Sequence, residues 1–290
     1  MKLKNKLKYI FKSPVSFFLS KKYSQPLVLD DKCTLDYILD KGCSVCRYGD
    51  GELNLMRGVG IKFQEFDEEL CRRLKEIAVA DDKSNVLICI PDIFKSLNAF
   101  TKQSRSWWHK YLLCTRGYWY KYFRNAFYGD TNMTRFYVEN IDKDRDDYVV
   151  RLKKLWQDKR ILIVEGKKSR LGMGNDLFMT AAEVKRLLCP SVNAFVRYPE
   201  ILAAVNKLIN TNSFDLVICA LGPTATVLCF DIADKIQALD LGHIDIEYEW
   251  YLCKAQTKQV IKNKAVTEVV DECGDNVDFE YKTQIIGEIE

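Results

Sequence analysis

Short apolar runs alternate with helical patterns along this chain, and this alternation constrains its fold more than any other feature. The runs are rich in valine, isoleucine and leucine, which indicates strands covered on both faces. They span residues 44–47, 86–90, 161–164, 193–196, 216–220 and, less clearly, 244–246. Helical patterns lie between them at residues 67–79, 175–188, 199–209 and 224–236. This order predicts an α/β fold with a Rossmann-like, mostly parallel sheet and helices on both faces.

Residues 100–150 depart from this alternation and predict an aromatic-rich helical insert. The stretch SRSWWHKYLLCTRGYWYKYFRNAFYGD holds three tryptophans, five tyrosines and two phenylalanines. These rings either form the core of a helical layer or, in part, line an acceptor cleft, because sugar C–H faces pack on aromatic rings. The 290 residues show no repeat and no low-complexity linker, so we expect one domain over residues 27–290 after an N-terminal segment, residues 1–26.

Charge and cysteine usage narrow the class of protein. With 44 basic and 40 acidic residues, the net charge of +4 does not indicate a nucleic-acid-binding protein. No apolar run reaches the roughly 18 to 20 residues of a membrane span. Most of the 11 cysteines lie in apolar runs, and the C-x-x-C pair Cys43 and Cys46 has no second pair at zinc-site spacing. We therefore expect structural cysteines and a cytoplasmic protein.

The N-terminal segment is basic and amphipathic. Residues 1–22 contain seven lysines, and no acidic residue precedes Asp30. The apolar side chains among them form no long stretch followed by a small-residue cleavage site, so the segment is a poor signal peptide. It either lies on an anionic membrane surface or packs its aromatic rings on the domain as a basic tail. The first alternative predicts peripheral contact with the inner face of the membrane.

Ligands of parallel α/β sheets bind beyond the carboxyl ends of the strands, so the loops there carry the candidate site. The first such loop is RYGDGE, in which Asp50 and Glu52 follow Arg47 and are separated by a glycine. Carboxylates suit Mg²⁺ or Mn²⁺, and an ion held this way usually also takes phosphate oxygens. The two acids are either ligands of such an ion or solvated turn residues.

Two later loops could bind phosphate. The stretch EGKKSRLGMGNDLF combines glycines and basic residues with a helix start expected at Asn175 or Asp176, and a helix N-terminus offers N–H groups to phosphate. It is neither a Rossmann fingerprint nor a Walker loop, so a nucleoside diphosphate fits better than a dinucleotide, with a basic surface loop as the alternative. In ALGPTATVL, a turn at Gly222 precedes two threonine hydroxyls.

A fourth stretch, GHIDIEYEW, alternates polar and apolar residues. If it is extended, His243 shares a face with three acids, Asp245, Glu247 and Glu249. Like charges on one face are costly unless a cation or a proton lies between them. We therefore expect a metal ligand or a general base among these residues, against the alternative of a structural histidine.

Taken together, four stretches of this sequence resemble, in order, motifs of the bacterial glycosyltransferases of the GT-D fold: RYGDGELNL, EGKKSRLGMGNDLF, ALGPTATVL and GHIDIEYEW. The resemblance covers roughly residues 30 to 270. It implies a Rossmann-like domain whose D-x-E motif holds a UDP-sugar through Mn²⁺, or Mg²⁺ in its place. It also implies transfer of a hexose, glucose in the best-known case, to a growing glycan on a surface protein or polysaccharide.

The resemblance also implies roles for individual residues. Asp50 and Glu52 bind the metal, with His243 as a further ligand, and one acid among Asp245, Glu247 and Glu249 is the base of an inverting transfer. Residues implied around the UDP are Arg47, Gly49, Lys167, Ser169, Arg170, Gly174, Asn175, Asp176, Gly222, Pro223, Thr224 and Thr226. Two alternatives share these loops: a UDP-sugar-binding regulatory module and a metal-dependent nucleoside-diphosphate hydrolase.

Overall fold

The structure is a computed structural model that describes residues 14–80, 85–264 and 277–290. Its centre is one sheet of eight strands in the order β3-β2-β1-β7-β6-β4-β5-β8, and every pair of neighbours is parallel. In chain order the strands are β1 (Ser44–Arg47), β2 (Val86–Ile90), β3 (Gly129–Asp130), β4 (Arg160–Gly166), β5 (Glu183–Cys189), β6 (Leu216–Ala220), β7 (Gln237–Asp240) and β8 (Ile285–Glu288).

Ten helices surround the sheet in the described part of the chain. They are α1 (residues 14–22), α2 (Asp31–Lys41), α3 (Asp50–Met56), α4 (Glu68–Ala78), α5 (Lys102–Tyr122), α6 (Asp146–Lys153), α7 (Tyr198–Thr211), α8 (Pro223–Ile232), α9 (Ile244–Leu252) and α10 (Phe279–Gln284). None of the helices in these residues is both long enough and apolar enough to span a membrane.

The sheet is covered on both faces, which confirms the predicted fold class. Side chains of one β6 face, such as Val217, belong to a core shared with α4, α5, α7 and α8. Those of the other face, such as Ile218, belong to a core shared with α2, α6 and α9. All of β6 is buried, as its continuous apolar sequence predicts.

Several elements match the sequence analysis closely. The strands β1, β2 and β6 have the predicted bounds, and β4 extends the predicted run at both ends. The helices α4, α7 and α8 lie within a few residues of the predicted ones. Cys43 and Cys46 are buried and unpaired, in keeping with a structural role, and burial raises the pKa of Cys43 to about 11.

Three predicted elements are wrong. Residues 175–182 form turns, and the second half of the predicted helix is strand β5, which pairs along its whole length with β4. The charged Arg186 is tolerated in this buried strand because Glu165 of β4 binds it at 2.6 Å. Residues 193–196, predicted as a strand, lie in a left-handed turn at Asn193 and a short 3-10 helix. Residues 244–246 begin α9 instead of a strand.

The insert is helical, as predicted, and most of its rings are core residues. Trp108 and Trp119 on α5 are buried, and the Trp119 ring lies 5.1 Å from that of Phe123. Trp107 is the exception, with 46% of its surface exposed. The core interpretation therefore holds for most of these rings, and a role of Trp107 in an acceptor cleft stays a prediction.

A candidate active-site cleft at the carboxyl edge of the sheet

A cleft of about 1200 Å³ opens beyond the carboxyl ends of the strands, next to the junction between β1 and β7. At this point the strand order changes direction along the chain, which is where parallel sheets bind ligands. The sequence predicted these lining residues: Arg47, Gly49, Asp50, Glu52, Ser169, Gly222, His243 and Asp245. It did not assign these: Gln64, Trp107, Asn132, Arg135, Glu139, Lys168, Asp240, Lys258 and Lys264.

The loop after β1 brings two carboxylates to the start of α3. Gly49 is the N-cap, Asp50 is the first helical residue, and Glu52 turns back to accept the Gly49 N–H at 2.7 Å. Both carboxylates line the cleft. Burial of the Glu52 carboxyl raises its pKa to about 7. Glu52 therefore caps the helix, in addition to any role toward a ligand.

Asp50 differs from Glu52 in having no hydrogen-bond or ion-pair partner among the residues that the structure describes. Its half-buried carboxylate makes no hydrogen bond or ion pair with the described residues, although it lines the cleft. At the same time, no three His, Cys, Asp or Glu side chains in the described ranges are grouped as a metal site. Asp50, Glu52 and His243 thus do not form a ready three-residue cluster. The half-buried His243 ring instead lies 3.1 Å from an Arg135 guanidinium nitrogen.

Arg47 and Asp240 form the floor of the cleft. Arg47 Nε donates to Asp240 O at 2.7 Å, and its Nη2 donates to Asp240 Oδ1 at 3.1 Å. Its Nη1 donates to Thr134 Oγ1 at 2.6 Å. Burial raises the pKa of Asp240, and Arg47 opposes that shift. Asp240 was not predicted, because it ends a strand of only four residues that has no apolar run to mark it.

The glycine turn after β6 reaches the cleft, but its threonines do not. Leu221 and Gly222 line the cleft, whereas Thr224 and Thr226 on α8 are fully buried beneath it. Thr226 Oγ1 donates to Arg47 O at 2.9 Å. Pro223 occupies the first turn of α8, as predicted. Thr226 therefore supports the floor from below through the end of β1, whereas the buried Thr224 hydroxyl has no hydrogen-bond partner among the described residues.

The loop after β4 presents three side chains to the cleft, Lys168, Ser169 and Leu171. The helix expected at Asn175 and Asp176 is absent from this described stretch, so its N-terminus cannot bind phosphate. The other residues of this loop that were predicted to surround the UDP do not line the cleft. Lys167 pairs with Glu288, Arg170 donates to Asn263 O, Asp176 pairs with Lys153, and Gly174 lies in an exposed turn.

The acids of the fourth motif lie on two different faces of α9, so the predicted common face is wrong. Asp245 and Glu249, one helical turn apart, both bind Lys264 Nζ, at 2.8 and 2.6 Å. Both also accept from Asn175 Nδ2, at 2.8 and 2.7 Å. Of the three acids only Asp245 lines the cleft. The alternating sequence pattern thus belongs to a helix, in which Asp245 and Glu249 pair with Lys264.

Glu247 lies on the opposite face of α9, where it is fully buried. Its Oε2 accepts the N–H groups of Tyr137 and Val138 at 3.0 and 3.1 Å. Burial raises the pKa of Glu247 to about 7. The residue therefore anchors the segment that carries Arg135 and Glu139, which do line the cleft.

Known glycosyltransferases are similar to this chain in sequence. A family model described as the glycosyltransferase GT-D fold matches residues 45–269. "Probable glycosyl transferase Gly" of Streptococcus gordonii is 40% identical over 243 residues, and "Glycosyltransferase GlyD" of Streptococcus pneumoniae serotype 4 is 36% identical over 260. The matches cover 83% and 88% of this chain but 35% and 32% of those proteins. The chain thus spans about a third of the length of the curated relatives it matches.

Solved structures share its fold. One, described as a new glycosyltransferase from Streptococcus sanguinis, has a TM-score of 0.87 at 38% identity and covers 92% of this chain and 100% of its own. Another, described as a domain of unknown function 1792 with a distinct glycosyltransferase fold, has a TM-score of 0.88 at 39% identity, with 95% and 100% covered. The family match extends from β1 past α9 and includes all four motifs. This chain belongs to the GT-D fold family of glycosyltransferases.

Proposed function

We propose that this chain is a metal-dependent hexosyltransferase that moves glucose from UDP-glucose to a growing glycan on a surface protein or polysaccharide. The observation that carries the proposal is the Asp50 carboxylate, which lines the cleft and has no partner among the described residues. Glu52 follows it on the same helical turn. Membership of the GT-D family supports sugar transfer as the reaction class.

The two carboxylates fit a divalent cation such as Mn²⁺ or Mg²⁺. Such ions are usually held by one or two protein carboxylates together with phosphate oxygens of the substrate. Asp50 and Glu52 supply the carboxylates, and a nearby cation would favour the ionised form of Glu52, whose pKa burial raises to about 7. When bound, the ion neutralises the charge that develops on the leaving UDP. The proposal needs no third protein ligand.

The protein's own cations add to the binding of the diphosphate. Lys168 is exposed at the cleft and Ser169 lies beside it, so both can donate to phosphate oxygens. Arg47 adds positive charge at the floor, where Asp240 and Thr134 already hold its guanidinium in place. Preorganised donors of this kind stabilise developing charge without having to move.

An exposed aromatic platform favours a sugar acceptor. The Trp107 ring lies 5.0 Å from the Tyr111 ring at an angle of 9°, and Trp107 lines the cleft. A sugar ring can pack its C–H face on such a surface. This feature favours transfer over hydrolysis, because a hydrolase has no use for an acceptor platform.

The base for an inverting transfer would have to be a carboxylate in the cleft. Asp245 lines the cleft and is paired with Lys264, and Glu139 lines it and is paired with Lys258 at 2.6 Å. Glu247 is fully buried and holds two backbone N–H groups. We therefore assign proton removal to Asp245 or Glu139 and give Glu247 a positioning role.

The test is the release of UDP from a panel of UDP-sugars, with and without Mn²⁺. We compare the native chain with Asp50→Asn, with Glu52→Gln and with Glu68→Gln, which also changes a first-turn acid but on α4, outside the cleft. We expect release from UDP-glucose that depends on Mn²⁺ and falls by about 10²–10³-fold in Asp50→Asn. Glu68→Gln keeps the native rate.

The products separate the remaining alternatives. Transfer of labelled hexose to an added glycan acceptor, with little free hexose, supports the transferase. Free hexose in amounts equal to UDP supports hydrolysis at the anomeric carbon, and UMP with hexose 1-phosphate supports a nucleoside-diphosphate hydrolase. Binding of UDP-glucose with no release of UDP under any condition supports the regulatory module and contradicts the proposal.

A further inference from the structure

Helix α1 lies directly on the middle of α5. Ser16 Oγ accepts a hydrogen bond from Gly117 N–H at 3.1 Å, and Ser16 is buried. A Cβ at position 117 would lie 2.1 Å from Ser16 O, so glycine is needed for this approach. The contact fixes which face of α1 points away from the rest of the molecule.

The outward face of α1 is apolar. Val15, Phe17 and Phe18 are 48%, 57% and 70% exposed. Leu113, one helical turn before Gly117 on α5, is 67% exposed. Large apolar side chains gathered on a surface in this way mark an interaction site more often than single exposed ones do.

The same two helices lie in the most basic parts of the chain. Residues 1–29 contain seven lysines and residues 93–129 contain seven lysines and arginines, and neither segment contains an acid. Together the two segments carry a charge of +14. All other residues sum to −10, which gives the net charge of +4. Lys21 and Lys22 on α1 and Lys110 and Arg116 on α5 are exposed. The apolar face is thus flanked by cations.

We propose that the exposed face of α1 and α5 docks on an anionic lipid membrane. Apolar side chains that enter the boundary between headgroups and acyl chains, with lysines and arginines beside them, are the features that hold a helix on such a surface. A nucleic acid would match the charge but not the aliphatic Val15 and Leu113, which do not stack on bases. The described residues thus favour a lipid surface as the partner.

Docking through this face would bring the cleft close to the membrane. Helix α5 begins at the cleft, where Lys102 and Trp107 line it, and Gly117 lies ten residues beyond Trp107. Ten residues of helix span about 15 Å. A membrane-borne acceptor would then be presented to the Trp107 platform. This consequence rests on the proposed function, whereas docking does not.

The experiment is co-sedimentation of the full chain with vesicles of phosphatidylcholine alone or with one quarter phosphatidylglycerol. We expect binding to the anionic vesicles at least about ten-fold stronger than to the neutral ones, weakening at high salt. The Phe17→Ser and Phe18→Ser double variant, and separately the Lys21→Gln and Lys22→Gln double variant, should each bind about ten-fold more weakly. In Phe18→Trp, the added fluorescence should shift to the blue with anionic vesicles.

Matched controls alter the same residue types elsewhere. Phe279→Ser removes a ring that is 82% exposed on α10, and Lys207→Gln removes an exposed lysine on α7; both should bind like the native chain. Equal binding to neutral and anionic vesicles would overturn the proposal. Unchanged binding in the double variants, or retention of nucleic acid with no vesicle binding, would also overturn it. UDP release without vesicles is scored separately, so failure of docking is distinct from failure of the transferase.

Discussion

Individual residues beneath the cleft hold its surface in place. Arg47 directs its donors to Asp240 and Thr134, and Thr226 fixes the backbone at the end of β1. Gly242 lies against this floor, and a Cβ there would be 2.1 Å from Arg47 Nη2. The Arg47 guanidinium therefore leaves no room for a side chain at position 242.

We expect Gly242→Ala to displace Arg47 and to weaken UDP-sugar turnover at least about ten-fold. Its control is Gly58→Ala, which also has a positive φ, +78° against +28° at Gly242, but no atom within 4 Å of the added Cβ. Both variants should lose about 1–2 kcal/mol of stability from the left-handed backbone. Urea denaturation and UDP-release kinetics measure the two effects. Equal activities of the two variants would contradict the role given to Arg47.

Glu247 makes the stability of the protein depend on pH. Burial raises its pKa from 4.5 to about 7, so the folded chain keeps a proton that the unfolded chain releases between these values. The free energy of unfolding should therefore fall as pH rises from about 4.5 to 7, by up to about 3 kcal/mol from this residue. Glu247→Gln should remove that part of the fall. Urea denaturation of the native chain and of Glu247→Gln across this pH range measures the difference. If the free energy of unfolding changes equally with pH in both, the raised pKa of Glu247 is contradicted.

At the scale of elements, α9 is held by a charge cluster that its own sequence cannot reveal. Asp245 and Glu249 lie side by side, and Lys264 and Asn175 bind both. The cluster joins the loop after β4 to α9 and so fixes one wall of the cleft. Removing the cation would leave two acids facing each other in a buried site.

We expect Lys264→Met to lower the free energy of unfolding by about 3–5 kcal/mol, because it leaves buried carboxylates without their cation. Adding Asp245→Asn and Glu249→Gln should restore most of the loss. Lys207→Met on the exposed face of α7 should stay within about 0.5 kcal/mol of the native chain. Thermal or urea denaturation of the four proteins measures this, and a loss that the added substitutions do not reverse would argue against the charge pairing.

The sequence predicted elements well where the apolar pattern was local, and failed where a distant partner decided the structure. β2 and β6 are continuous apolar runs, and their bounds follow from that alone, whereas β1 has only Val45 and Cys46 between polar residues. β5 contains Lys185 and Arg186, and Arg186 can be buried there because Glu165 of β4 and Gln284 of α10 bind its guanidinium. The same difference between local and distant determinants applies to the candidate site. Loops after strands were found, whereas Asp240, Glu139 and Lys264 depend on contacts across the fold.

At the scale of the whole molecule, the C-terminal residues complete the sheet. β8 adds to the edge of β5, and Tyr281 on α10 donates its hydroxyl to Glu165 Oε1 at 2.8 Å. Glu165 is fully buried and also binds Arg186 and the Leu171 N–H. The last elements of the chain thus stabilise the strand that leads into the cleft loop.

We expect Tyr281→Phe to lower the free energy of unfolding by about 1–3 kcal/mol, because it removes one donor from a buried carboxylate. Tyr37→Phe is the matched control: its ring packs 5.4 Å from Phe127, and its hydroxyl makes no hydrogen bond to the described residues. That variant should change stability by less than about 0.5 kcal/mol. Equal losses of unfolding free energy in the two variants would show that the hydrogen bond from the Tyr281 hydroxyl does not stabilise the fold.

The pairing of β1 with β7 has a consequence for the timing of synthesis. Arg47 and Asp240 are 193 positions apart, and no part of the sheet other than β7 and β2 lies beside β1. During synthesis, β1 and the D-x-E loop therefore leave the ribosome long before β7 does. The opposite wall of the cleft can form only after residue 240 has left the ribosome. A nascent chain that has not yet released residue 240 from the ribosome therefore lacks one wall of the cleft, so the cleft forms only after β7 has joined β1.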